Sequence, residues 1–576
     1  MTSSRLVPRA RTSRRGRPRR TRYAVLAAVL ASLVALMAAA PGAASAGREW
    51  WEPVAPQTPD SQVDVVGAPF TGTTAAGEVR GLVDAHTHMF SDEGFGGNVV
   101  CGRTFSPHGI ADALKDCRAH QPNGNLALIE NLTNARQGGN PFASHDTVGW
   151  PTFRFWPAYD SFTHQQMYYK WVERAWRGGQ RILVNDLVSN SGLCTINGVV
   201  NPPNTSSCND MDAVRREAER TRELEAFVDA QYGGAGKGWF RVVTTPAQAR
   251  SVVEQGKLAV VLGVEVSEPF GCKQTLTIPA CGRAQIDRGL DELKALGVSS
   301  MFLCHKFDNA LCGVRYDEGT TGVIVNLGQF LTTGTWWNPR TCRPGEVPDH
   351  TVAGGVLPKE LAVAFPLAVL PVYPAGPHCN PRGLSSLGEY AVRGLVKRHM
   401  MVEVDHMSAK AAARTFSILE ETRYAGALSS HSWMAEPFME RLYSLGGFAT
   451  QYGHGTTQFV ADWRASKAQR DRFGVGYGFG MDMNGFGGTP PPREGAATSA
   501  AGPVVYPFRS ADGGSVLSRQ RTGERVWDVN VDGVAHYGQV PDWVEDLRLV
   551  GGQELVDDLM AGAESYLRTW EEAAAH

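Results

Sequence analysis

The sequence predicts an α/β fold: a (β/α)8 TIM-type barrel with long inserted loops and C-terminal helices, preceded by a signal peptide. Two observations predict the barrel. Eight short, nearly continuous apolar runs alternate with segments of helical periodicity, as a parallel sheet buried on both faces requires. Histidine, glutamate and aspartate recur just where those runs end, and that is the end of such a barrel where sites are built.

The first strand is "RGLVDAHTHMF", residues 80 to 90, ending in His86 and His88. Residues two apart on a strand share a face and stand about 6.5 Å apart along it, a spacing that suits two imidazoles converging on one cation. Residues 90 to 163, rich in Gly, Asn and Pro, read as an insertion over one end of the barrel. "HQQMYYKWVERAWRGG" has helical spacing with a glycine stop, and "RILVNDLV" follows as a buried strand. A second insertion, 188 to 210, leads into the charged helix "MDAVRREAERTRELEAFVDAQY".

The alternation then becomes regular. Helix "TPAQARSVVEQGK" precedes strand "LAVVLGVEVSE", which carries Glu265, and helix "AQIDRGLDELKALG" precedes "VSSMFLCHKFD", which carries His305. Helix "LSSLGEYAVRGLVKRHM" leads to "MVEVDHMS" with Asp405 and His406, and helix "AKAAARTFSILEETR" to "GALSSHS" with Ser430 and His431. The last units are "EPFMERLYSLGG" and "FATQYG", then "TTQFVADWRASKAQRDRF" and "GVGYGFGMD", which ends in Asp482. The glycines of that strand fit close backbone packing better than a phosphate loop, because no helix opens after them. The residues from "GVAHYGQVPDW" onward read as amphipathic helices closing the barrel. "PVVYPFRSADGGSVLSRQRTGERVWDVNVDG" reads as a loop with a small hairpin near the site, its Arg509, Arg519 and Arg521 better placed in solvent than on a ligand.

A lone histidine at a strand end is more often a satisfied structural residue, and a lone acid more often a helix cap. Six or seven such residues at one end of one barrel are harder to explain that way. His108, His120, His145, His350, His378 and His454 fall in loops or at helix edges and receive no role.

Nine arginines and no acid precede Ala46, followed within that stretch by the apolar run Ala24 to Ala40 and a small-x-small "ASA". This layout predicts residues 1–46 to be a secretory signal cleaved after Ala46, with 47–79 an N-terminal extension and 80–576 the barrel. An uncleaved membrane anchor is the alternative, and Arg14-Arg15 raises twin-arginine export. Without nine of its 56 basic residues the chain holds 47 against 58 acidic, a formal charge of about −11. That balance speaks against nucleic acid as a partner. The ten cysteines include no Cys-x-x-Cys pair, so a zinc ribbon or thioredoxin-type site has no support. Sequence neighbours among them are expected to pair as five local disulfides, other connectivities remaining open, in a secreted or extracytoplasmic protein.

The order His-x-His, acid, His, His, Asp on successive strands resembles the amidohydrolase superfamily of metal-dependent hydrolases. Within it the closer likeness is to the membrane (renal) dipeptidase family of zinc metallopeptidases. "GVEVSE" resembles that family's Gly-x-Glu-Gly-Gly strand end, "SSHS" its Ser-His-Ser, "GMDMNG" its Gly-Ser-Asp-Phe-Asp-Gly, and "LCHKFDNAL" its Leu-Thr-His segment. The likeness runs from about residue 80 to the C-terminus, interrupted by the insertions. It implies two divalent metal ions, zinc in the family: His86, His88 and Asp482 on one, His406 and His431 on the other, Glu265 bridging both. His305 would face the substrate, and Arg441 is the nearest candidate for the family's substrate-binding arginine. The chain departs from the family in carrying His88 where His-x-Asp is usual and in a shorter spacing to Arg441.

Two cations sharing a carboxylate supply hydroxide near neutral pH, so hydrolysis of a small amide, most of all a dipeptide, is the expected reaction. Asp482 is expected to accept and return the proton, and His305 to steady the oxyanion. Asp84, on the opposite face, reads as a supporting acid. No Gly-x-Ser-x-Gly elbow is present, and Ser430 and His431 alternate across their strand, unsuited to a serine relay. The alternatives are a lactonase, phosphotriesterase or deaminase of the same fold, and a non-catalytic secreted barrel binding through aromatic loops such as "PTFRFWPAYDSF". The sequence carries no signal of oligomeric state.

Overall fold

The computed structural model describes residues 49–52, 59–125, 127–134, 140, 143–201, 204–352 and 371–576. The expected signal segment, residues 1–46, lies outside the described residues. The parallel sheet is built from ten segments: β1 (Leu82–Thr87), β2 (Gln180–Ser189), β3 (Phe240–Val243), β4 (Leu258–Val266), β5 (Val298–Phe302), β6 (Met401–Glu403), β7 (Ala427–Ser429), β8 (Phe448–Ala449), β9 (Gln451–Tyr452) and β10 (Phe479–Gly480).

Pairing runs β1–β2–β4–β5–β6–β7–β8, all parallel. The chain crosses Thr450 into β9, which pairs with β10, and Phe479 of β10 pairs back with Asp84 of β1. With β8 and β9 taken as one interrupted strand, this nearly closed circuit is the eight strands expected. β3 is an addition, pairing along the first half of β4 from Phe240 opposite Leu258. Its "FRVV" is four residues after a glycine-rich turn, too short for periodicity to register.

Helices cover the sheet: α1 (Tyr169–Arg177), α2 (Asp210–Gln231), α3 (Pro246–Glu254), α4 (Arg283–Ala295), α5 (Gly319–Thr333), α6 (Ser386–Lys397), α7 (Ala409–Thr422), α8 (Met439–Ser444) and α9 (Thr456–Phe473). Their starts follow local rules. Thr245 accepts from the Gln248 amide with Pro246 in the first turn, Ser385 accepts from Gly388, and Ser408 from Ala411. The helix α5 escapes sequence reading because "GTTGVIVNLGQFLTT" is rich in glycine and β-branched residues, poor helix formers that its packing overrides.

Alternate residues of the strands, including Val83, Val184, Val261, Met301, Val402 and Leu428, fill one continuous buried core. Three C-terminal helices, α10 (Val540–Gly551), α11 (Gln553–Met560) and α12 (Gly562–Ala575), close the far end. There Ala563 donates to the Gly81 carbonyl and Glu564 accepts from the Val79 amide, both just before β1. The Phe508–Arg509 and Ser515–Leu517 hairpin packs at this same end, where Ala511 bonds Gly178 and Asp512 pairs with Arg181, beside the start of β2. It is therefore not near the strand C-termini as expected. Arg519 is held by Asp528, and Arg521 faces solvent.

Residues 90–163 are mostly irregular, braced by Cys101–Cys117, and the 188–210 segment is clasped by Cys194–Cys208. Cys272–Cys281, Cys304–Cys312 and Cys342–Cys379 complete five local disulfides, with no free cysteine among the described residues. Among the described residues no helix is long and apolar enough to cross a membrane.

One buried ion pair ties the first helix to the last group. Arg174 of α1 donates to the Asp542 carboxylate of α10 and to the carbonyls of Gly538 and Ser518, with neither charged group exposed. Truncating Asp542 to Ala strands a desolvated guanidinium, and the expected loss is about 3–5 kcal/mol of stability. Urea denaturation of the two proteins measures it.

Candidate functional site

The six expected ligands and His305 come from six different strand ends and meet at one point on the barrel axis. His86 and His88, leaving β1, place their Nε2 atoms 3.1 Å apart. His406, after β6, and His431, after β7, bring theirs to 2.9 Å. Glu265 of β4 stands between the two pairs. Its Oε2 lies 3.4 Å from His88 Nε2 and 3.7 Å from His86 Nε2, and its Oε1 lies 3.2 Å from His406 Nε2. Asp482, after β10, reaches His88 Nε2 at 3.2 Å and His86 Nε2 at 3.7 Å. His305 Nε2 is 3.4 Å from Glu265 Oε2, its ring edge-on to His406.

The outer faces of these imidazoles assign their protons. His88 Nδ1 is 2.8 Å from the Asp186 carbonyl, and His86 Nδ1 is 3.1 Å from the Asp186 carboxylate and from Ser430 Oγ. His431 Nδ1 is 3.0 Å from Asp405, which also accepts from Ser429 Oγ and the His431 amide. In His86, His88 and His431 the Nδ1 is thus the protonated nitrogen and the Nε2 turns a lone pair inward, whereas His406 Nδ1 has no partner among the described residues. Facing lone pairs about 3 Å apart, with two carboxylates among them, fit divalent cations: nitrogens bound at about 2.0–2.1 Å to one tetrahedral ion stand near this separation.

Burial works against charge on His86 and His88, and Glu265 with Asp186 and Asp482 more than restores it, so the acids draw positive charge to this point. Burial pushes the Glu265 carboxyl up, but His305 and His86 outweigh it and hold the group well below the usual carboxylate range. Burial likewise raises Asp482, and His88 and His86 reverse it. Burial lowers His305 to about 3 despite Glu265, and with Lys306 it pushes His406 well down. The backbone is strained at two ligands, His406 at φ 63° and Asp482 at φ 49°, each costing about 1–3 kcal/mol in a non-glycine residue. At Gly480 a Cβ would lie 2.1 Å from the Ser430 carbonyl and 3.0 Å from the Cβ atoms of His86 and His431. Glycine is required there for strands to close on the site, as its sequence context suggested.

Asp84 is not at the centre. It accepts from the amides of His86 and Met481 and from Tyr537 Oη, clamping β1 to the segment after β10. The structure does not bring Arg441 to the site either: it lies on α8, its guanidinium paired with Glu420 of α7 and packed over Phe416, in the outer helical layer. Its short spacing from the histidine strand keeps it on that helix.

Four functional neighbours were missed. Asp186, inside the apolar "RILVNDLV", was readable as a buried carboxylate in need of a partner; Asp405 was noted only as a strand end. Lys306 and Trp433 give no such signal. Lys306 Nζ is 3.1 Å from Asp317 and 5.0 Å from the Trp433 ring centre; burial works against its charge, and Asp317, Glu265 and Asp482 more than restore it. Trp433 packs on His406 with its ring parallel to His431.

No protein-family model matches the chain, and no curated protein does. Among solved structures it is similar to an amidohydrolase from Pseudomonas aeruginosa at 14% identity and TM-score 0.37, over 70% of this chain and 92% of that one. It is similar to a dipeptidase described as a metallo peptidase at 13% and 0.35, over 69% and 86%. A third is a metallo peptidase from Rhodobacter sphaeroides liganded with a phosphinate mimic of the dipeptide L-Ala-D-Ala, at 13% and 0.36, over 69% and 88%.

Asp405→Ala removes the carboxylate that orients His431. Zinc affinity is expected to fall about 10–100-fold, as for other outer carboxylates. Competition with a chromogenic chelator reads this, and unchanged affinity would mean that His431 is oriented by something else.

Proposed function

We propose that this chain is an exported, binuclear metal-dependent hydrolase whose substrate is a small amide, a dipeptide above all. The observation that supports it most is the two imidazole pairs sharing one carboxylate, Glu265. The five disulfides fit export into an oxidising compartment.

Two divalent cations, zinc by the family resemblance, would lower the pKa of water and polarise the scissile carbonyl. His86, His88 and Asp482 would hold one, His406 and His431 the other, with Glu265 between. The chain's own groups do the rest. Asp482, with Oδ1 on the histidines, accepts the proton of the attacking water and delivers it to the leaving amine. His305 offers an N–H to the developing oxyanion, its Nδ1 having no other partner. Lys306, the cation whose field reaches Glu265 and Asp482, takes the place that Arg441 does not fill and meets the substrate carboxylate, with Trp433 as the adjoining wall.

A second reading, ester, lactone or phosphotriester hydrolysis or deamination by the same centre, is favoured by one residue: His88 in place of the dipeptidase family's aspartate.

Zinc-reconstituted mature protein, residues 47–576, is expected to release amino acids from a panel of L,L- and L,D-dipeptides, with release abolished by chelator. No release with metal bound would discard the peptide substrate. Asp482→Asn is expected to abolish turnover while metal is largely retained; an active variant refutes the proton-transfer role. Lys306→Met is expected to raise KM for free-acid dipeptides about tenfold or more, the loss of one charge-assisted hydrogen bond. C-terminally amidated dipeptides should respond little, and an equal response from both would remove Lys306 from carboxylate binding.

A further inference from the structure

The 90–163 insertion and His164, the residue that follows it, hold a second set of facing imidazoles. His120 Nδ1 and His164 Nε2 are 3.2 Å apart, both rings buried. His145, 7% exposed, stands edge-on to both, with ring centres 5.5 Å from His120 and 5.1 Å from His164, and neither of its nitrogens has a hydrogen-bond partner among the described residues.

The surrounding hydrogen bonds set the tautomers. His120 Nε2 faces the Val99 carbonyl at 3.1 Å, which only an N–H can satisfy. Thr163 Oγ1 is committed as donor to Glu130 Oε2, so it adds nothing but an acceptor at that nitrogen. His120 Nδ1 therefore carries a lone pair. On the other ring, Ser161 Oγ donates to Glu130 Oε1 and lies 2.7 Å from His164 Nδ1, which must donate to it. His164 Nε2 is then a lone pair as well. Glu130 is held by two further donors, Asn134 Nδ2 and the Thr163 amide. Two lone pairs thus face each other at 3.2 Å in a buried site, an arrangement that requires an electrophile between them.

We propose that His120 Nδ1 and His164 Nε2 form a site for a zinc-class transition ion at the end of the insertion, with His145 edge-on beside them. The separation of the first two is that of neighbouring ligands on one tetrahedral zinc, about 3.3 Å at bond lengths of about 2.0 Å. Burial lowers His120 to about 3 and His164 well below the ordinary range, so a proton competes poorly for either ring. Cys117 Sγ shares the cluster, but its bond to Cys101 denies it a thiolate, leaving the two imidazoles of His120 and His164 as its donors. The ion would brace the end of the insertion next to Gln165, which bonds Asn484 of the loop that carries Asp482.

The test is a zinc-edge anomalous difference map from crystals of the full mature chain reconstituted with zinc. A peak between His120 Nδ1 and His164 Nε2 is expected. A flat map there, whatever the barrel contains, overturns the proposal and leaves a proton relay from Glu130 through Ser161 as the way the pair is satisfied. Metal content after desalting gives a second readout: His164→Phe is expected to hold one zinc fewer per chain than wild type, and equal content also overturns the site.

Discussion

Unshared lone pairs, forced to face one another in a buried place, are the constraint from which the rest of the barrel's upper end follows. The His86 and His88 Nε2 atoms, 3.1 Å apart with both Nδ1 atoms committed outward, are repulsive as neutral groups and relieved by positive charge, and the His406–His431 pair stands at 2.9 Å across Glu265 from them. Three of the four outer nitrogens have an acceptor to hold their rings inward: the Asp186 carbonyl lies beside His88, Ser430 Oγ and the Asp186 carboxylate beside His86, and Asp405 beside His431.

That aim is transmitted through backbone as well as side chains. His406 and Asp482 adopt left-handed conformations that a non-glycine residue avoids unless its surroundings over-determine it. The surroundings do. Arg315 bonds the His406 carbonyl through its amide, and Asp482 bonds the His86 carbonyl through its own. The β8–β9 strand is interrupted at Thr450, whose carbonyl takes the Ser432 hydroxyl and whose hydroxyl donates to Ser430. The break therefore stitches the strand bearing His431 to its neighbour instead of weakening the barrel.

The barrel's strands were readable because a strand buried on both faces leaves an unbroken apolar run, and the convergence of the polar side chains because they end such runs on six occasions. β3 and α5 were not, since a four-residue strand has no period and a helix of threonine, valine and glycine has the composition of a strand. Arg441 was misplaced for a different reason. Linear distance from His431 places it near the site, but the turn of α8 and the competing carboxylate of Glu420 carry its side chain outward. Lys306 was hidden by its neighbour: beside His305 in "LCHKFD" it looks like a solvated charge, and only the fold shows Asp317 and Trp433 holding it over the centre. His120 and His145 were set aside because loops have no period from which to infer convergence, and His164 was read only as the first residue of a helical stretch.

The insertion is better understood as a brace than as a loose cover. Its last residues tie directly to the loop that presents Asp482. Asn484, two residues on, donates to Gln165 Oε1 at 2.7 Å and to the His88 carbonyl at 3.3 Å, and accepts from the Gln166 amide. Gln165 in turn bonds the Cys101 carbonyl through its amide and the Met89 carbonyl through its side chain, so the Cys101–Cys117 disulfide, β1 and Asp482 share one short network. His164 immediately precedes it. A long irregular segment has little regular hydrogen bonding with which to resist fraying, and its disulfide together with the Gln165–Asn484 bonds is what allows it to hold the Asp482 loop under backbone strain. Fixing the insertion and fixing Asp482 are then the same mechanical requirement.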